Sequence, residues 1–357
     1  MSDERRTPPN GPDPLTERER GVLEAVVRTY VSTAEPAGSR TLARGFELGV
    51  SAATIRNTMS DLEEKGYLYH PHTSAGRVPT DRAYRYFVDQ IMRPATLTVT
   101  ERERLQAELG SGATGIESLV RMATRALSLI TRELGVAIAP SIEEAVLEKL
   151  DLVQVSTRKV LLVASIKGGL VRTVYVDLTI EVPADTLVTL TLILNERLAG
   201  LTLRQIRETL AERLRGSVED DPAAEELINI FMQSGTELFS LGGTADGSVH
   251  LGQTSVLAEQ PEFNSGESLK NLIELTEKRE LLADVLSERV VGSGLTVTIG
   301  REHASLELND FTLVTAEYRA GNLKGVLGVI GPTRMPYEKV IAIVDYTSSL
   351  ISRVLTV

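Results

Sequence analysis

The 357 residues contain no cysteine and no tryptophan, and phenylalanine and tyrosine together supply only 4% of the chain. Without thiols there is no disulfide framework and no zinc–thiolate site, which fits a reducing cytoplasm. Long apolar runs are missing too: residues 160–166 and 187–194 are the longest, far short of the roughly 20 needed to span a bilayer. Residues 1–14 lack the apolar core of a signal peptide and read as a disordered arm. A soluble cytoplasmic protein that avoids membranes is expected.

Catalytic signatures are equally scarce. No nucleophile-elbow motif is present, and the glycines of residues 242–247 lack the trailing Lys-Ser/Thr of a phosphate loop. Of the four histidines, His70 and His72 form an H-x-H pair that falls short of a metal site. His250 and His303 are isolated, and Arg301-Glu302-His303 reads as a loop charge cluster with nothing to activate. No enzyme, metal or cofactor is expected.

An excess of positive charge is the last absence. With 38 Lys/Arg against 49 Asp/Glu the net charge is −11, the opposite of the usual nucleic-acid footprint. The deficit is uneven: residues 1–93 hold 13 of each sign, and residues 94–357 hold 25 basic against 36 acidic side chains. Whatever residues 1–93 bind is not repelled by its own domain. Were such a neutral domain to bind DNA, it would hold nonspecific duplex weakly, and useful affinity would call for two copies at once, hence a dimer.

What is present is organised around residues 51–66, Ser-Ala-Ala-Thr-Ile-Arg-Asn-Thr-Met-Ser-Asp-Leu-Glu-Glu-Lys-Gly. Ser51 is a favourable N-cap and Gly66 a left-handed terminator. Ile55, Met59 and Leu62 form one apolar stripe, and the opposite face presents Ala53, Arg56, Asn57 and Ser60. Arginine bonds guanine bidentately, asparagine bonds adenine likewise, and alanine permits close approach in a major groove. A solvated face with one arginine is unremarkable by itself; its neighbours make it specific. Residues 39–46 predict a short helix, residues 47–50 a glycine-containing turn, and residues 15–31 an earlier amphipathic helix opened by Thr16 and Glu19. After the central helix, residues 67–69 are extended, and residues 71–79 predict a hairpin turning at Ser74-Ala75-Gly76. Arg77 stands on its return strand. Thr80-Asp81 then caps a helix carrying Ala83, Tyr84, Phe87, Val88 and Ile91. This is the order of a winged helix-turn-helix. On that helix Arg82 and Arg85 suit a solvated face and backbone contact equally.

Residues 15–93 resemble the N-terminal domain of the HrcA-type heat-inducible transcription repressors. The matching segments are Glu35-Pro-Ala-Gly-Ser-Arg-Thr-Leu42, Gly49-Val-Ser-Ala-Ala-Thr-Ile-Arg-Asn57 and Pro71-His-Thr-Ser-Ala-Gly-Arg-Val-Pro-Thr80. Gln260-Pro-Glu-Phe-Asn264 and Gly325-Val-Leu-Gly-Val-Ile-Gly-Pro-Thr-Arg-Met335 are similar to the same family. The resemblance implies a homodimeric repressor that binds an inverted-repeat operator upstream of chaperone operons, releases it on heat stress, and is kept active by a chaperonin. On this reading Ala53, Arg56, Asn57 and Ser60 meet base edges. Ser39, Arg40, Thr54, Thr73, Ser74 and Arg77 hold phosphates or the minor groove, and His72 contacts phosphate.

For the remainder, the expectation is an α+β multidomain chain. Residues 94–115 form a linker helix region. Strands are expected at 146–156, 159–166 and 170–178, at 249–257, and again at 295–299, 306–318 and 323–330, with helical periodicity over 184–240, 267–290 and 336–355. A sheet interrupted by a helical stretch and then completed suggests an insertion. The resemblance names the parts: a GAF-like domain at 116–183 and 268–357, split by a dimerisation subdomain at 184–267. Two other readings stay open, an effector-binding regulator whose GAF-like domain senses a small metabolite, and an enzyme or interaction module with a vestigial winged helix.

Overall fold

The computed structural model describes residues 15–72, 75–110, 116–140, 144–167, 170–179, 181–215, 224–231, 249–291, 294–321 and 323–355. It is an α+β protein of two compact units. The first comprises Met1–Thr96, Thr298–Thr312 and Gly331–Val340; the second comprises Leu97–Val297, Leu313–Ile330 and Ile341–Val357.

The first unit begins with α1 (Glu17–Thr33), opened by the reciprocal capping of Thr16 and Glu19 and closed by Ala34 at φ 57°. Its buried stripe of Val22, Leu23, Val26 and Val27 supports α2 (Ser39–Gly45) and α3 (Ala52–Glu64). In α3 the Ser51 hydroxyl accepts the Thr54 N–H, and Ile55, Thr58, Met59 and Leu62 are buried. Burial of each of the three apolar members stabilises the packing by about 1.5–3 kcal/mol. At the other end the Tyr67 N–H reaches the Leu62 carbonyl and the Gly66 N–H reaches Glu63, a Schellman termination made possible by Gly66 at φ 76°. Strands β1 (Leu68–Tyr69) and β2 (Val78–Pro79) follow, pairing Leu68 with Pro79 and Tyr69 with Val78. Helix α4 (Asp81–Tyr86) is capped by Thr80 and runs into a π-helical turn, Phe87–Ile91.

Two strips from the last third of the chain complete this unit. Asp81 and Arg85, one helical turn apart on α4, both engage the turn at 299–302. The Asp81 carboxylate accepts the Arg301 N–H at 3.1 Å, and Arg85 forks onto both Glu302 oxygens. Gly300, at φ 51°, is required here, because a Cβ at this position would lie 2.3 Å from the Asp81 carboxylate. Arg28 of α1 forks onto Glu338 at 2.7 and 3.0 Å, Arg334 donates to the Val31 carbonyl, and the Tyr84 ring packs on Tyr337. The cluster around Arg301-Glu302-His303 therefore has a partner that sequence reading did not supply.

In the second unit, α5 (Val99–Gly110) is capped by Thr98 and Glu101, and α6 (Ile116–Thr131) leads into β3 (Leu134–Ile138). The expected strands at 146–178 appear as β4 (Leu147–Ser156), β5 (Lys159–Ile166) and β6 (Leu170–Asp177). They form a separate three-stranded sheet rather than the start of a larger one. Their inward residues, Leu150, Leu162, Ala164 and Val176 among them, share one core with α7 (Ala184–Leu198), α8 (Leu203–Leu214) and a helix α9 at 224–231. Asn195 of α7 ties the two layers by bonding both the N–H and the carbonyl of Leu150.

A five-stranded sheet runs in the order β7-β3-β10-β9-β8, with β7 (Val249–Leu251), β8 (Leu295–Ile299), β9 (Phe311–Ala320) and β10 (Leu323–Pro332). Strand β7 is shorter than expected. Past it, Gly252 lies so close to α6 that a Cβ would sit 2.2 Å from the Ser128 hydroxyl, and the chain turns into α10 (Ser255–Ala258). The strand expected from 306 likewise starts late, because Ser305 opens a 3-10 turn at Leu306–Leu308. Helices α11 (Gly266–Glu277), α12 (Arg279–Val291) and α13 (Tyr337–Val354) complete the inventory. Among the described residues no helix is long and apolar enough to cross a membrane.

Two outcomes are expected. Ser51→Ala, which removes the cap of α3, should cost about 1 kcal/mol of stability, read as a lowered thermal midpoint. The second concerns acid. Burial would raise the Glu302 carboxyl, but hydrogen bonds from Arg85 and the Ile299 N–H, with the Arg85 charge, outweigh it and hold the group below the ordinary carboxylate range. A carboxyl depressed in the folded state stabilises above its unfolded pKa and loses that contribution as pH falls through the folded value. Wild-type stability should therefore decline as pH drops below about 4.3, and Glu302→Gln should flatten that decline; an identical pH profile would reject the role given to Glu302.

Candidate nucleic-acid interface

Packing of α3 against α1 and α2 fixes what it shows to solvent. With Ile55, Thr58, Met59 and Leu62 turned inward, Ala53, Arg56 and Asn57 are exposed, while Thr54 and Ser60 are half-buried at the margins. The Thr54 side chain is within 3.0 Å of the Ser51 hydroxyl, and its carbonyl accepts from Thr58. Four of the expected α3 residues (Ala53, Arg56, Asn57, Ser60) thus share the face opposite the core, and Thr54 borders it at the first turn.

Helix α2 packs against α3 and carries the next of the expected residues. Ser39 is half-buried at its first position and Arg40 is exposed. Arg44, in the last turn of the same helix, is exposed as well, and sequence reading passed it over. Its spacing of four from Arg40 was the available signal. Among the described residues Arg40, Arg44 and Arg56 have no hydrogen-bond or ion-pair partner. Arg18 on α1 and Arg93 after the π-helical turn are exposed and unbonded as well, whereas several other guanidiniums of this region are engaged. Arg20 donates to the Gln90 carbonyl, Arg28 and Arg85 are forked on carboxylates, and Arg82 donates to the Lys65 carbonyl at 2.8 Å while lying over the Tyr67 ring. Arg82 is therefore an end-cap of α3. Lys65 is likewise held, 2.8 Å from Glu19. Several cations of this region are thus bonded into the scaffold, while Arg40, Arg44 and Arg56 on α2 and α3 are not.

The ribbon after α3 is arranged differently from expectation. His72 is exposed, and its carbonyl accepts the Ala75 N–H; Thr73 and Ser74 lie outside the described residues. Arg77 does not extend outward to a phosphate. Its side chain is 12% exposed, and its Nη2 lies 2.7 Å from Glu63 at the end of α3. The cause is local. Arg77 pairs through both backbone groups with Ala37, and the preceding Gly76 approaches so closely that a Cβ would lie 2.4 Å from the Ala37 carbonyl. Backbone docking aims the guanidinium at α3. Among the described residues no group of three or more acidic, histidine or cysteine side chains is placed to hold a metal ion.

The family model HrcA protein C terminal domain matches residues 117–341. A heat-inducible transcription repressor HrcA of Chlorobium phaeobacteroides (strain BS1) is 38% identical over 352 residues, covering 96% of this chain and 99% of its own length. Its namesake in Geobacter sulfurreducens is 35% identical over 347 residues, covering 96% and 98%. A crystal structure of a hypothetical protein, solved at 2.2 Å, superposes with a TM-score of 0.65 at 21% identity, covering 96% of this chain and 99% of that one. At that identity the likeness is one of fold.

Proposed function

The chain belongs to the HrcA family, and from that premise we propose that it is a negative regulator of transcription in the heat-shock response, acting on DNA through the α2–α3 surface. The observation that carries this is the pairing of Asn57 and Arg56, exposed on α3, with Arg40 and Arg44 beside them, the three guanidiniums lacking any protein partner. Unpaired guanidiniums and an amide on a capped helix have the donor chemistry for phosphates and for base edges. On this reading residues 15–93 are a winged helix-turn-helix. Ala53, Arg56, Asn57 and Ser60 enter the major groove, Ser39, Arg40, Arg44 and Thr54 lie along the phosphates, and the β1–β2 ribbon with His72, Thr73 and Ser74 is the wing.

The head carries 13 charges of each sign, so two copies on an inverted repeat are needed for tight binding, and the protein acts as a homodimer in the cytoplasm. The operator is the repeat upstream of chaperone operons, and a chaperonin that helps maintain the folded repressor would link repression to folding capacity. The five-stranded sheet with its helices is a GAF-like domain. The insertion begins near residue 144 rather than 184; what supports this seam is that β4–β6 share their core with α7, α8 and α9. A folded state worth only ~5–15 kcal/mol gives heat a direct route to loss of repression.

The decisive experiment is a gel shift with a duplex carrying the chaperone-promoter inverted repeat against a scrambled control, before and after brief warming. Selective retention that disappears on warming is expected; equal retention of both duplexes rejects the assignment. Arg56→Ala should cost about 1–3 kcal/mol and relax discrimination at one base position. Arg40→Ala and Arg44→Ala should weaken both duplexes alike and each reduce the salt slope by about 0.9; an unchanged slope would remove them from the phosphate contacts.

A further inference from the structure

Glu63 occupies an unfavourable place for an acid. It lies in the last turn of α3, where the helix dipole disfavours negative charge, and on the proposed reading it follows directly on a helix meant for DNA. It is nonetheless two-thirds buried and fully used. Oε2 lies 2.7 Å from Arg77 Nη2, and Oε1 accepts from His70 Nδ1, also at 2.7 Å. His70 is the residue leaving β1, and Arg77 is the residue entering β2. One carboxylate therefore holds both strands of the ribbon at its base.

We infer that Glu63 is the positioning residue for DNA binding by the ribbon: it fixes the β1–β2 base against α3, and Arg77 acts as its partner instead of contacting DNA itself. This rests on the winged-helix reading above. Backbone bonds between Arg77 and Ala37 pin one side of the ribbon, and the Glu63 carboxylate pins the other. The buried Arg77 Nε has no hydrogen-bond partner, so this guanidinium gives up hydration for the sake of the Glu63 contact. A cation intended for phosphate would stay solvated, as Arg40, Arg44 and Arg56 do. Turning the ribbon base about α3 would displace the exposed His72 from the path of the backbone, so loss of Glu63 removes phosphate contacts although Glu63 makes none.

The test is a double-mutant cycle on the full-length protein, titrated with the inverted-repeat and scrambled duplexes across a salt series. Glu63→Gln should weaken both duplexes about tenfold and lower the salt slope by about 0.9, the equivalent of one phosphate contact. Arg77→Gln should do the same, and the double variant should lose no more than either single one, because both remove one interaction. Tighter binding by Glu63→Gln with a steeper slope would show that the acid merely masks Arg77, and additive losses would show that Arg77 meets phosphate independently; either overturns the inference. Should Glu63→Gln fail to fold, Arg77→Lys keeps the charge but not the reach to Glu63, so retained affinity would overturn the inference and a tenfold loss would support it. Wild-type protein that fails to prefer the inverted repeat refutes the DNA reading itself; wild-type preference with unaltered variants refutes only the role of Glu63.

Discussion

Burial of one side of α3 is the constraint on which the functional surface depends. Ile55, Thr58, Met59 and Leu62 are pressed against α1 and α2, and at about 100° per residue this leaves no freedom over which residues face outward. Ser51 fixes where the helix starts and Gly66 where it stops. Between those limits the register of Arg56 and Asn57 is set by the core, so the packed and the exposed face follow from a single helical periodicity. The half-buried positions, Thr54 and Ser60, are the ones where the two demands meet.

Charge follows the same division. Acids are spent on scaffold cations: within residues 15–93 Glu19 on Lys65 and Glu63 on Arg77, and from distant segments Glu302 on Arg85 and Glu338 on Arg28. In partly buried pairs of this kind desolvation offsets much of the Coulombic attraction, so each contributes modestly. Their effect lies in orientation, since bidentate forks hold planar groups in one geometry. The guanidiniums of Arg40, Arg44 and Arg56 on α2 and α3 remain outside these pairs.

Much of this was legible in the sequence because it is local. Caps, the α3 stripe, the glycine that ends the helix and the strand boundaries of β4–β6 depend on residues within a few positions of one another. The exposed face of α3 was legible for the same reason. The pairing of Arg77 with Glu63 was not legible, because its orientation is decided by Ala37 and Glu63, distant in sequence, through the close approach of Gly76 to Ala37. Arg85 and Glu302 were unassignable for a like reason, being separated by 217 positions. The division of the strands into two sheets was hidden as well: alternation predicts which side of a strand is apolar, not which helices will cover it.

The three-part make-up of the first unit has a consequence for the order in which the protein matures. Residues 15–96 leave the ribosome some 200 positions before the turn at 299–302 and the Glu338 segment that complete their unit. At ~10 residues per second that interval is roughly 20 s, during which the nascent head lacks the carboxylates that later seat Arg85 and Arg28. What is translated first is thus finished last, and a truncated message yields a head without the carboxylates that seat Arg85 and Arg28.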